Sequence, residues 1–164
     1  MNVQYKKKVL FVITNHEKLG NTGKKTGYFL REVSYPYKAI TEAGYSVDFV
    51  SPKGGLAPMD PNSNDMEDEV NKAFTDDADI MERLQNTMSP SEVNPDDYDA
   101  IMYAGGHGTV WDFPDSEGLA KIATNIYERG GVLGAICHGP AALVNLKLSN
   151  GTYLVSGKRF SAFT

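Results

Sequence analysis

Short apolar runs alternating with helix-period segments predict an α/β protein with a doubly wound, mostly parallel sheet flanked by helices. Three observations carry this expectation. Residues 8–14 (KVLFVIT) form a continuous apolar run, the pattern of a central parallel strand buried on both faces. Residues 116–129 place Leu119, Ile122, Ala123 and Ile126 on one helical face. That helix lies between two further short runs, at 98–103 and 132–136, each bounded by a glycine pair.

The elements follow in order. After the first strand, the polar, glycine-rich loop 15–25 leads to Thr26, a residue able to cap a helix running to about Ala43, where Gly44 stops it. Residues 46–50 read as the second strand. Three prolines and two glycines mark 51–65 as loop. Two acidic helices are expected near 66–74 and 78–88, within an acidic helical insertion near 60–99. The third strand, 98–103, stops at Gly105-Gly106. The helix over 116–129 ends at Gly130-Gly131, the fourth strand is 132–136, and a helix begins at Pro140. Ser149-Asn150-Gly151-Thr152 is a hairpin turn signal, with strand material expected from Tyr153 onward.

The composition, 41% hydrophobic and 23% charged, is that of a globular domain. No run approaches the ~18 apolar residues of a membrane span, so no membrane partner is expected. The lysines Lys6 to Lys8 and the short run after them make a poor secretory leader. A single cysteine forms no internal disulfide, which suggests a reducing, cytoplasmic setting. The net charge of −5 is uneven: residues 60–99 carry 13 acids against Lys72 and Arg83. Such an arm argues against a nucleic-acid groove there.

Ligands of open α/β sheets gather at the carboxyl ends of the strands. Cys137 stands there, at the end of the fourth strand and one or two residues before a helix. Pro140 suits the first helical position, and Gly134, Gly139, Ala141 and Ala142 leave a nucleophile elbow uncrowded. A thiol at a helix N-terminus ionises more easily. The competing reading is an inert buried thiol. His138 is the adjacent candidate base, and its amide is the residue-after-nucleophile donor of an oxyanion hole, with Gly106 supplying the second amide. Glu32 borders the apolar stripe of Phe29, Leu30, Val33, Tyr37 and Ile40, with Pro36 four residues on kinking the helix. A half-buried carboxyl there shuttles protons; an exposed one is ordinary helix surface. His107, Trp111 and Phe113 are candidates to line a pocket, with core packing the alternative for the aromatics.

Other patterns fail. In Gly20-Asn-Thr-Gly-Lys-Lys-Thr26 the P-loop spacing is wrong. Gly105-Gly106-His107-Gly108 is no dinucleotide fingerprint. His16, His107, His138 and Cys137 have no metal-ligand spacing. No cofactor and no metal are expected.

At Ala135-Ile136-Cys137-His138-Gly139-Pro140 the sequence resembles the ThiJ/PfpI superfamily, and within it the branch of glutathione-independent glyoxalases (glyoxalase III) and heat-shock holding chaperones. Further agreement lies in Lys25-Thr-Gly-Tyr-Phe-Leu-Arg-Glu32, Tyr35-Pro-Tyr37, Val47-Asp-Phe-Val-Ser-Pro52, Tyr98-Asp99, Ala104-Gly-Gly-His-Gly-Thr109 and Asp112-Phe-Pro114. The resemblance implies a flavodoxin-like, class I glutamine amidotransferase-like fold, an acid at Glu32 beside Cys137, and conversion of methylglyoxal to lactate. It equally covers protein deglycation, peptidase or amidase activity, stress-related holding of unfolded clients and redox sensing through Cys137. It implies a homodimer. Members of the branch continue past the position of Thr164 with an acid that completes a Cys-His-acid triad. The expectation is therefore a single domain over 1–164, incomplete at its C-terminus: either a fragment of a longer chain, poorly soluble alone, or a subunit completed by a second chain.

Overall fold

A computed structural model describes residues 7–163. Lys6 of the N-terminal lysine cluster and the terminal Thr164 lie outside the described residues. Among the described residues, the sheet has four parallel strands in the order β2-β1-β3-β4. The strands are β1 (Lys8–Val12), β2 (Ser46–Val50), β3 (Ala100–Tyr103) and β4 (Val132–Ala135). Their register aligns Val12 with Val50 and Tyr103, and Tyr103 with Ala135, so the strands end together at one edge.

Alternation along β1 sorts its residues into two cores. Val9, Phe11 and Ile13 face one layer, and Leu10 and Val12 the other; all are 5% exposed or less. The first layer holds α1 (Arg31–Glu42), α2 (Glu69–Asp76) and α3 (Ala78–Gln85), which contribute Val33, Phe74, Ile80 and Leu84. The second is covered by α5 (Glu117–Glu128) through Leu119, Ile122, Ala123 and Ile126, and by the segment after β4 through Leu143 and Leu146. Connections on opposite faces make the sheet doubly wound, and parallel strands buried on both sides need no polar alternation. The acidic region 60–99 is thus part of the body of the fold. Its apolar residues enter both cores, Phe74, Ile80 and Leu84 one and Val93 and Tyr98 the other, and its carboxylates lie mostly outside, with Asp60 buried.

Three expectations need correction, and one element was not foreseen. Residues 26–30 are not helical: α1 begins at Arg31, and Thr26 is buried with its hydroxyl donating to Asp60 Oδ2 at 2.9 Å. The run from Gly27 is extended, because Tyr28 N donates to Pro58 O and Asp60 N donates to Tyr28 O. Tertiary pairing with the 57–60 strip outweighs the helix propensity of this stretch. A short helix, α4 (Thr109–Asp112), follows the glycine turn, in a stretch to which the sequence pattern assigns no element. After Cys137 the chain makes a 3-10 turn over Gly139–Leu143 rather than an α-helix reaching Leu146. The hairpin is reduced to one antiparallel bridge, Lys147 with Tyr153, and residues 154–163 form turns and coil rather than a strand.

Candidate active site

The site occupies the carboxyl edge of the sheet, where β1, β3 and β4 end. Cys137 has φ of 54°, in the left-handed region that a side chain occupies only when its surroundings hold it there. Ile136 N donates to Tyr103 O, and Gly139 N closes the turn on Ile136 O at 2.7 Å. A Cβ on Gly139 would stand 2.4 Å from Tyr103 O, so only glycine lets this turn pack against β3. The strand end and the turn together fix the sulfur at the sheet edge, half-buried.

Glu32 reaches this point from the first turn of α1. Leu30 N donates to Ser63 Oγ, and Ser63 Oγ in turn donates to Asp60 O, which anchors the start of the helix. Pro36, inside α1, has no N–H to offer the Glu32 carbonyl. The side chain runs over Gly105, where a Cβ would stand 2.0 Å from Glu32 Oε2 and 2.9 Å from Cys137 Cβ. The bare Gly105 backbone therefore makes the room in which carboxyl and thiol meet. Glu32 Oε2 is buried and makes no conventional hydrogen bond among the described residues. Burial pushes the carboxyl above its usual range, opposed by contacts with Cys137 and the Gly105 amide and by the nearby His107.

The thiol departs from the expectation of an acidified cysteine. Burial first, and then the Glu32 carboxyl, push Cys137 up, while the amides of His138 and Gly106 pull it down. The two expected oxyanion donors thus converge on the sulfur. Gly106 has φ of +105°, and a Cβ there would meet Gly27 O at 2.2 Å and Phe29 N at 2.7 Å. Only glycine can place this amide while Phe29 N donates to Gly105 O.

His138 Nδ1 lies 3.3 Å from Cys137 Sγ, so the adjacent histidine does face the sulfur. Its carbonyl accepts from Thr109 Oγ1. Its ring packs against His107, with centroids 4.7 Å apart, and against Phe163, at 4.9 Å. Burial, and then His107, lower its basicity. Among the described residues no carboxylate makes a salt bridge or hydrogen bond to His138.

The candidate lining residues divide. His107 is exposed at the mouth. Trp111 is half-exposed and stacks on His16 at 4.8 Å, forming a rim. Phe113 is core: it is 3% exposed and packs edge-on against Tyr103. Beneath the rim, Asp112 Oδ2 accepts from Thr14 Oγ1 and Asn15 N, both at 2.8 Å, and ties the loop after β1 to α4. Two residues escaped the sequence reading. Asp112 was quoted only as part of a motif. Asp60, 3% exposed at the end of a proline-rich loop, carried no local signal.

Among the described residues, no group of three or more His, Cys, Asp or Glu side chains is placed to hold a metal ion, and no helix is long and apolar enough to cross a membrane.

Comparison with known proteins places this geometry. The model of the DJ-1/PfpI family matches residues 25–161. Glyoxalase 3 of Candida albicans is 36% identical over 168 residues, covering 96% of this chain and 69% of its own. A glutathione-independent glyoxalase of Saccharomyces cerevisiae is 38% identical over 167 residues, with the same coverages. The crystal structure of the Candida albicans glyoxalase III superposes with a TM-score of 0.88 at 34% identity, over 98% of this chain and 69% of that one. The Rapid Encystment Protein 24 KDa of Francisella tularensis superposes with the same score at 44% identity, over 93% and 68%.

Proposed function

The chain belongs to the DJ-1/PfpI family, and from that membership and the site geometry we propose that it is a glutathione-independent glyoxalase converting methylglyoxal to lactate. The observation that carries the proposal is the meeting of the Cys137 thiol and the buried Glu32 carboxyl over Gly105, beside two amides. A nucleophile and a proton carrier held together in a half-buried site are what an internal aldehyde-to-acid conversion requires.

The Cys137 thiolate adds to the aldehyde carbon, and the resulting oxyanion lies at the Gly106 and His138 amides. Glu32 takes the hydrogen of that carbon as a proton, and the electron pair moves into an enediol with the neighbouring ketone carbon. Glu32 then returns the proton to the ketone carbon as a thioester forms at the first. One carbon is oxidised and its neighbour reduced, so no external redox partner enters. Water attacks the thioester, His138 takes its proton, the carbon–sulfur bond breaks, and lactate leaves with the thiolate restored. Deglycation of early adducts on proteins would use the same nucleophile on a related carbonyl derivative.

A second reading, the holding of unfolded clients, is favoured by exposed apolar side chains: Val132, Val144, Phe160 and Phe163 are each at least 60% exposed. The lone cysteine suits a reducing compartment such as the cytoplasm, and a homodimer is the assembly we expect.

The test is lactate formation from methylglyoxal without glutathione, by wild type and Cys137→Ser, with an aggregating client assayed in parallel. Turnover lost in the variant supports the covalent route. Equal turnover in both proteins removes it. Holding activity that survives the substitution would make the second role independent of the first.

A further inference from the structure

The route above leaves one proton without a source. When the enediol forms, the ketone oxygen must gain a proton, while Glu32 is occupied with the carbon-bound hydrogen. His138 lies against the sulfur, 3.3 Å away, and in the proposed route is the base for the later water attack.

His107 is a further titratable side chain at the mouth. It follows the oxyanion-donor Gly106 directly, and its ring lies 4.7 Å from the His138 ring. Its Nδ1 faces Asp60 Oδ2 at 4.0 Å. The Asp60 side chain is 4% exposed, against 56% for His107. Its carboxylate is fixed by Thr26 Oγ1 at 2.9 Å, Asn62 N at 2.8 Å and Asn62 Nδ2 at 3.0 Å, all neutral donors. A buried carboxylate with only neutral donors and one imidazole opposite it is an electrostatic anchor for that ring. The Asp60 backbone belongs to the strip that pairs with Tyr28 and holds the start of α1 through Ser63, so the anchor is built into the frame that positions Glu32.

We propose that His107 is a second proton-transfer group of this site, and that Asp60 is its positioning residue, turning Nδ1 inward and leaving Nε2 toward the substrate. The inference rests on the glyoxalase reading. In its protonated form, His107 donates from Nε2 to the ketone oxygen as Glu32 removes the carbon-bound proton. The ketone oxygen keeps that proton as the lactate hydroxyl. His107 recovers its own from the water that cleaves the thioester, by way of His138 and solvent, and the second proton of the net reaction leaves with ionisation of the acid. The groups facing His107 are then Asp60, His138 and Glu32, on three separate segments.

The experiment uses the full chain. His107→Gln should lower kcat about 10²-fold with KM little changed. Imidazole should restore part of the activity of His107→Ala, a rescue that a packing role would not give. Asp60→Asn should lower kcat less, and adding it to His107→Gln should cost nothing further. Ring ¹⁵N shifts of His107, read without substrate, should show Nδ1 protonated in wild type and a changed tautomer balance in Asp60→Asn. Asp60→Glu guards against a folding artefact and should retain the wild-type tautomer. A His107→Gln enzyme with kcat within twofold of wild type overturns the proposal. If wild type fails to convert methylglyoxal, the glyoxalase reading is what falls. The ring shifts then judge the pairing, and identical shifts in wild type and Asp60→Asn overturn it.

Discussion

At the scale of single residues, the proposed chemistry turns on a carboxyl that burial raises and the thiol contact lowers, and on a thiol that burial and that carboxyl both raise. Cys137→Ala should abolish methylglyoxal turnover and leave the far-ultraviolet circular dichroism unchanged, since the elbow accepts a small side chain. Glu32→Gln keeps the shape of the side chain but removes the carrier, and kcat should fall about 10²–10⁴-fold. The same variant makes a prediction with a definite sign. Glu32 contributes to raising the Cys137 thiol, so its removal should move the pH profile of iodoacetamide alkylation toward lower pH. A shift the other way would mean that protonated Glu32 stabilises the thiolate by donating to it. The glutamate also shows where residue-level reading stops. Its place at the edge of an apolar helical stripe was visible, yet a half-buried glutamate and an exposed one share that position.

At the scale of elements, the glycine turn after β3 is the part on which the others converge. Gly105→Ala would drive a methyl group into the Glu32 carboxyl and the Cys137 side chain. Turnover should drop at least tenfold, and the loss should appear in kcat because the carboxyl is displaced from the sulfur. Gly106→Ala meets both a positive φ and the Gly27 carbonyl, and should cost about 1–3 kcal/mol of stability, measured as a lowered denaturant midpoint. Wild-type stability in that variant would mean that the 27–29 strip gives way easily. On the sequence side, the glycine pair announced a turn and a close approach. What approached it was hidden, because residues 26–29 have a helix-compatible composition and become extended only by pairing with residues 58–60.

At the scale of the whole molecule, the doubly wound order β2-β1-β3-β4 leaves β2 and β4 at the two edges among the described residues. β4 carries Val132 at 65% exposure, and Val144 beyond the elbow is at 63%. An uncovered parallel edge with apolar side chains favours association. We expect concentration-dependent self-association in light scattering and binding of an apolar dye, both reduced in Val132→Lys/Val144→Lys. Equal dye binding by variant and wild type would place the sticky surface elsewhere. The chain spans 69% of the length of the Candida albicans and Saccharomyces cerevisiae glyoxalases it matches.

The sequence by itself determined the parallel α/β architecture, because a strand buried on both faces must read as an unbroken apolar run, as residues 8–14 do. It also singled out Cys137 as the proposed nucleophile, because Cys137-His138-Gly139-Pro140 at the end of such a strand has few other uses. The caps at Gly44 and Gly130 were equally local, and both stand at positive φ where α1 and α5 end. Only the tertiary structure decided that Phe113 is core, that His107 lies against His138, and that Asp60 lies behind the His107 ring. Each of these depends on which loops share the carboxyl edge of the sheet. Residues 60, 107 and 138 are far apart along the chain, and their meeting is set by strand register and long-range packing, for which the sequence around each one carries no local signal.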